Sequence, residues 1–263
     1  MHKTAIVTGG TSGIGAAAAK TLAQKYGYTV YVFSRHDYTS ELVKHIKCDV
    51  SKEEEAIEAV NQVLAEAGEL DLVINCAGMG ISGAIEYTEL DDARRQFDIN
   101  FFGMVNINKA CMAHLRKTKG RIVNISSVAA AVPIPFQSYY SASKAAINSY
   151  SLALANELKP FGVSVCAVMP GDTATGFTAA RSKSNLGDDI YQGRIRRSVS
   201  KMEKDEQSGM SAQKAGEIIA SVALRNRLPY LYTIGISYKL VSFLMKILPV
   251  NLSQKLIFQL YAR

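Results

Sequence analysis

Between residues 8 and 15 the chain reads Thr-Gly-Gly-Thr-Ser-Gly-Ile-Gly, directly after the apolar, β-branched run Thr4 to Thr8 and directly before the Ala-rich stretch Gly13 to Tyr26. A strand feeding through glycines into a helix is the first turn of a doubly wound parallel sheet. Glycines at Gly9, Gly13 and Gly15 allow a tight turn and close approach to a pyrophosphate. The residues that open the helix, Thr11, Ser12, Gly13 and Ile14, offer unpaired N–H groups and partial positive charge. A glycine-rich turn can also serve helix packing alone, but its place between strand and helix favours phosphate binding.

The remaining sequence continues the alternation. Thr29 to Phe33, His45 to Cys48, Leu72 to Asn75, Arg121 to Ile125 and Val163 to Met169 read as strands, separated by helical patterns. Ser51 with Glu54 suggests a capping box, followed by an apolar face of Ala56, Ile57, Val60, Val63 and Leu64. Longer helices are expected over Asp91 to Lys117 and Ser138 to Leu158. Alternating βα units predict one α/β domain over residues 1–263, a Rossmann-type doubly wound parallel sheet of about seven strands with helices on both faces. With 263 residues, 48% of them hydrophobic, there is core material enough for it. Residues of about 172–210 are polar and aperiodic and read as a mobile substrate lid; Ser211 then caps a helix running to Leu224.

The formal charge is +7, and no acidic residue follows Glu217. Arg225, Arg227, Lys239, Lys246, Lys255 and Arg263 lie among aliphatic and aromatic residues, giving a basic, apolar segment of about 229–263. Lys239, Lys246 and Pro249 interrupt every run long enough to span a bilayer. The segment reads as a helix packed on the core or on a partner subunit, or as an interfacial helix or greasy substrate rim in peripheral contact with a membrane. No aromatic platform or recognition motif accompanies the charge, so nucleic acid is not an expected partner. Cys48, Cys76, Cys111 and Cys166 are dispersed and mostly in apolar segments, which suits packing thiols and no metal site. The apolar stretch near the N-terminus is short and broken by Gly9, so a cytoplasmic location is expected.

Chemistry is suggested by Tyr140 and Lys144, four apart in Tyr-Ser-Ala-Ser-Lys. On a helix they share a face, where an ammonium would favour the ionised phenol and suit it to acid/base work. At the end of the second strand, where an NAD site usually carries Asp or Glu for the ribose 2′-hydroxyl, this chain has Ser34 and Arg35. Arg35 can pair with a 2′-phosphate, so NADP(H) is expected in preference to NAD(H).

With Thr8 to Gly15, Cys48-Asp49-Val50, Asn75-Cys76-Ala77-Gly78, Asn100, Ile125-Ser126-Ser127, Tyr140 to Lys144 and Pro170-Gly171-Asp172-Thr173-Ala174-Thr175, the chain resembles the short-chain dehydrogenase/reductase family over nearly its whole length. The resemblance implies that Tyr140 exchanges the proton, Ser127 polarises the substrate oxygen, Lys144 tunes Tyr140 and holds the nicotinamide ribose, and Asn100 holds a proton-relaying water. It is also what selects Ser127 and Tyr140 over Ser126, Ser138, Tyr139 and Ser143. Asp49 and Val50 would flank the adenine. Asn75, Ala77 and Gly78 would support the cofactor, and Pro170, Gly171, Thr173 and Thr175 would line its nicotinamide and phosphate side. Cys76 departs from the family's usual second Asn. The implied activity interconverts a ketone or aldehyde and an alcohol by direct hydride transfer, in a homodimer or homotetramer formed through the two long helices. Phe177, Leu186, Ile190, Tyr191, Met202 and Met210 suit a lipophilic substrate of steroid, fatty acyl or sphingoid type, whereas Arg194, Arg196 and Arg197 could meet an acidic group. A non-catalytic nucleotide-sensing regulator on the same fold is the alternative.

Overall fold

The computed structural model describes residues 3–263. Among them, seven parallel strands form one sheet: β1 (Thr4–Thr8), β2 (Thr29–Ser34), β3 (Lys44–Lys47), β4 (Leu72–Asn75), β5 (Arg121–Ile125), β6 (Ser164–Met169) and β7 (Leu231–Thr233). Their spatial order is β7-β6-β5-β4-β1-β2-β3, so the direction of winding reverses between β1 and β4. Side-chain alternation divides the core. Ile6 belongs to a cluster with α2 (Glu53–Ala67), α4 (Gly103–Thr118) and α5 (Ser138–Leu158); Ala5 and Val7 belong to the opposite one with α1 (Gly13–Tyr26) and α8 (Ala212–Ala223). Both faces are therefore covered, which explains why the strands are almost continuously apolar. Register aligns Thr8 with Phe33 and with Asn75, so the carboxyl ends of β2, β1 and β4 open side by side at the reversal point, where such sheets bind ligands.

Four expectations change. The single helix read over Asp91 to Lys117 is α3 (Leu90–Phe97), a π turn at Asp98–Phe102, and α4. The Ser51–Glu54 capping box does not form. The Ser51 hydroxyl and N–H both bond Asp49 Oδ1, an Asx-type turn that takes Ser51 away from the helix, and α2 begins at Glu53 after Lys52. Within the segment read as irregular lid lies the 14-residue helix α7 (Arg194–Gln207), which buries Ile195, Val199 and Met202. Finally, the basic apolar segment opens with a strand, β7, which pairs with β6 before α9 (Ile236–Ile247) and α10 (Val250–Tyr261). Ser211 caps α8 by accepting from the Lys214 N–H.

Residues 172–210 are tied down by two short pairings. Thr173–Ala174 lies beside Met210–Ser211, and Ile81–Ser82 beside Ser182–Lys183. Between them sits the short helix α6 (Phe177–Ala180). No helix among the described residues is long and apolar enough to cross a membrane.

Candidate active site

The glycine turn has the backbone a phosphate cradle needs. Gly9 sits at φ +61°, and a Cβ on Gly15 would fall 2.4 Å from the Gly9 carbonyl oxygen, so neither tolerates a side chain. Ser12 precedes α1 in an extended conformation and makes no side-chain cap, and the first turn holds no acidic residue. The opening N–H groups of Gly13, Ile14 and Gly15 are thus left for an anion. Thr8 fixes the opposite wall, its hydroxyl accepting from the N–H groups of Cys76 and Ala77 at 3.0 and 3.1 Å.

The residues expected around the adenine and ribose differ in what their side chains do. Arg35 is exposed. Its charge reaches Asp49, whose carboxyl burial would raise but which the two Ser51 hydrogen bonds and Arg35 together hold low. The Ser34 hydroxyl is already engaged, donating to the His36 carbonyl and meeting His45 Nε2, both at 2.9 Å. Val50 is buried against Gly103. Asn75 points into the core, where its amide donates to the Asn108 and Asn124 oxygens at 2.7 and 2.9 Å. It supports the strand ends from behind and does not face the cleft.

Tyr140 and Lys144 project from the start of α5 toward the ends of β4 and β5. The Ser126 hydroxyl, donating to the Lys144 carbonyl at 2.9 Å, pins this turn to β5. Lys144 Nζ donates to the Ile125 carbonyl at 2.8 Å, lies 5.6 Å from the Tyr140 ring centroid, and stands 3.8 Å from where a Cβ on Gly78 would be. Asn100, in the π turn, grips the neighbouring loop. Its Oδ1 accepts from Met79 N–H at 2.7 Å, and its amide donates to the Met79 carbonyl at 3.0 Å and to Ser143 Oγ at 3.2 Å. A π turn inside a helical run often marks such a site. Ser127 closes the group, accepting from Ala129 N–H at 3.1 Å and standing near enough to the Tyr140 phenol to pull its pKa down.

Burial dominates the electrostatics of the pair. It pushes the Tyr140 phenol up to about 12, against the pull of Ser127, and the Lys144 ammonium down to about 8. The Tyr140–Lys144 spacing predicts a phenol lowered by the ammonium; in the folded site burial raises it, and the opposing pulls come from Ser127 and Arg181. The phenol is therefore held protonated at neutral pH, as a proton donor must be. The depressed lysine also has a stability consequence. Between pH 8 and about 10 the unfolded chain retains a lysine proton that the folded site has released, so this group's contribution to stability rises with pH. Buried Cys48 and Cys166, pushed up to about 12, act in the opposite sense. Thermal midpoints measured over this range should therefore rise for the wild type relative to Lys144→Met, in which the thiols are unchanged; parallel profiles would contradict the depressed lysine.

The loop after β6 forms the remaining wall. Thr175 Cβ lies 3.6 Å from where a Cβ on Gly13 would be, so the start of the 172–210 segment stands over the glycine turn. Thr173 Oγ1 donates to the Gly171 carbonyl and Thr175 Oγ1 accepts from Phe177 N–H. Phe177, expected from the sequence among the apolar substrate residues, takes part, and so do Arg181 and Tyr238, which no motif indicated. The Phe177 ring lies 5.7 Å from the Tyr140 ring, and the Arg181 guanidinium 5.8 Å from Phe177. The Tyr238 ring covers Gly171, where a Cβ would be 2.2 Å from Cδ2, and its hydroxyl donates to Asp172 at 2.5 Å. Arg196 and Arg197 are committed locally, to Asp188 and to the Gln192 carbonyl.

The geometry thus joins a cleft fitted to a dinucleotide with a buried amine and a half-buried phenol and hydroxyl that can bind and protonate an oxygen. Residues 3–186 match the short chain dehydrogenase family profile. The chain is 39% identical over 234 residues to a 3-ketodihydrosphingosine reductase of Bacteroides thetaiotaomicron, covering 88% of this chain and 87% of that one. It is 38% identical over 192 residues to the NADPH-dependent 1-acyldihydroxyacetone phosphate reductase of Saccharomyces cerevisiae, covering 68% and 64%. A short-chain dehydrogenase of Streptomyces avermitilis superposes with a TM-score of 0.84 at 27% identity, over 98% of this chain and 96% of that one. On site, fold and kinship alike, the chain belongs to the short-chain dehydrogenase family of oxidoreductases.

Proposed function

We propose that the protein is an NADP(H)-dependent oxidoreductase that interconverts a ketone and an alcohol on a lipophilic substrate. The observation that carries this reading is the pairing of half-buried Tyr140 with buried Lys144 beside Ser127 at the carboxyl edge of the sheet. Gly9 and Gly13 to Gly15 would hold the pyrophosphate, Arg35 the 2′-phosphate, and Lys144 with Gly78 the nicotinamide ribose. When bound, the dinucleotide supplies or accepts the hydride. Tyr140 gives its proton to the substrate carbonyl oxygen, and the Ser127 hydroxyl donates a second hydrogen bond as negative charge develops there. Asn100 and Ser126 position α5 so that these groups converge. The lipophilic substrate class is supported by the reductases of sphingoid and acyl ketones among the relatives. Residues 172–210 would act as its lid, since Phe177 sits on Tyr140.

The test is NADPH consumption with a panel of long-chain and short-chain ketones. Turnover favouring long-chain substrates supports the proposal, and no turnover of any ketone or alcohol contradicts it. Cofactor choice has its own check. Arg35→Asp exchanges a charge-assisted contact for repulsion, so KM for NADPH should rise about 10–100-fold while KM for NADH changes little. An unchanged NADPH preference would remove Arg35 from the site. A homodimer or homotetramer through α4 and α5 is supported by exposed Phe102, immediately before α4, and Leu152 on α5, and light scattering reads the state directly. Action in the reducing cytoplasm is supported by the four free thiols.

A further inference from the structure

The last two helices carry an apolar surface that the fold leaves uncovered. On α9 the inward positions are Tyr238, Val241, Ser242 and Met245, which pack on Val128 and Val132 together with Ile257 of α10. Val128 directly follows Ser127, and Tyr238 covers Gly171, so the underside of α9 is part of the active-site wall. At 100° per residue, Ile236, Leu240, Phe243 and Ile247 fall on one narrow stripe on the opposite side. Ile236 is 87% exposed and the other three 58–60%. Lys239 and Lys246 fall together along one border of this stripe. After Pro249, α10 buries Ser253 and Ile257 and leaves Leu252, Leu256 and Leu260, spaced one turn apart along the flank of that face, exposed.

A water-facing helix with this composition costs solubility, so something should cover it. The charge pattern selects what. From residue 218 to the C-terminus the sequence holds six basic residues and no acidic one. A second copy of this surface related by a two-fold axis would bring like charges together without a counter-charge. An anionic bilayer supplies acyl chains for the stripe and phosphates for its lysine border in one plane.

We infer that α9 and α10 dock the enzyme on an anionic lipid surface, with Ile236, Leu240, Phe243 and Ile247 in the acyl boundary and Lys239 and Lys246 at the phosphate level. The part of the active-site wall formed by the underside of α9 then lies beside the membrane. Docking stands on the surface alone; only its use in supplying substrate rests on the lipophilic reading above, and the two are measured separately. The experiment is co-sedimentation of the full chain with vesicles of phosphatidylcholine alone or mixed with phosphatidylglycerol. The wild type should bind the mixed vesicles, weakly the neutral ones, and less as salt rises. Lys239→Glu with Lys246→Glu should weaken binding to mixed vesicles at least about tenfold. Phe243→Ser with Ile247→Ser should abolish binding to both. All these positions are exposed, so thermal midpoints and turnover of a water-soluble ketone should match the wild type. A wild-type protein that stays in the supernatant with mixed vesicles overturns the inference. So does a serine variant that changes from oligomer to monomer while vesicle binding is unaffected, which would assign the stripe to an interface between copies.

Discussion

Tyr140→Phe should lower kcat by two to four orders of magnitude, about 10²–10⁴-fold, the range a positioned proton donor contributes. The substitution removes one oxygen and keeps the ring that packs beside Phe177. Dinucleotide affinity should change little, because the glycine turn and Lys144 Nζ, held by the Ile125 carbonyl, are untouched. The thermal midpoint should hold or rise, since only a half-buried hydroxyl is lost and the ring packing is kept. Steady-state turnover with NADPH, alongside cofactor binding followed by fluorescence quenching, separates these effects. Turnover within tenfold of the wild type would show that another group protonates the substrate. Loss of cofactor binding in the variant would instead show that the phenol acts through the cleft's shape. Ser127→Ala should cost less, because the phenol still supplies the proton when the second hydrogen bond to the oxygen is gone.

The parts of this site that could be read in the sequence are those dictated by local geometry. The glycine turn is legible because a Cβ at Gly9 would press on the Ala77 backbone at 3.0 Å and one at Gly15 on the Gly9 carbonyl at 2.4 Å. The Tyr140–Lys144 spacing is legible because four residues make one helical turn. What could not be read depends on partners distant in the chain. Leu231–Thr233 is too short to declare itself a strand, and pairing with β6 decides its conformation. The π turn inserts a residue that no periodicity encodes; it is held by Asn100 bonding the Met79 backbone, 21 positions earlier. The polarity of α7 hides its three inward residues, and Asn75, a cleft residue by motif, is drawn into the core by Asn108 and Asn124. Tyr238 gave no signal at all, since the glycine it covers lies 67 positions away in a different loop.

The same dependence on distant partners gives Glu206→Gln a large effect on stability. Arg181 has a fully buried side chain, ion-paired with Glu206, whose own side chain is 16% exposed. Thr178 Oγ1 donates to the other carboxylate oxygen at 2.6 Å, so the short helix α6 and α7 are joined through one acidic group. Among the described residues Arg181 Nε and Nη1 find no further protein acceptor. Neutralising Glu206 therefore leaves a buried guanidinium with little compensation, and breaking such a pair from one side costs about 3–5 kcal/mol. For a domain of this size that corresponds to a fall of about 10 °C in Tm. Removing both charges, as Arg181→Met with Glu206→Gln, should recover most of the loss, because the desolvation penalty disappears with the cation. Thermal and urea unfolding of the two single variants and the double variant complete the cycle. A Glu206→Gln protein as stable as the wild type would mean that water, and not Glu206, compensates the buried charge. The stable double variant carries a second readout: Arg181 backs Phe177, which backs Tyr140. Its KM for a long-chain ketone should rise while turnover of a short one is kept, because what is loosened is the packing of Phe177 over the phenol and not the phenol itself.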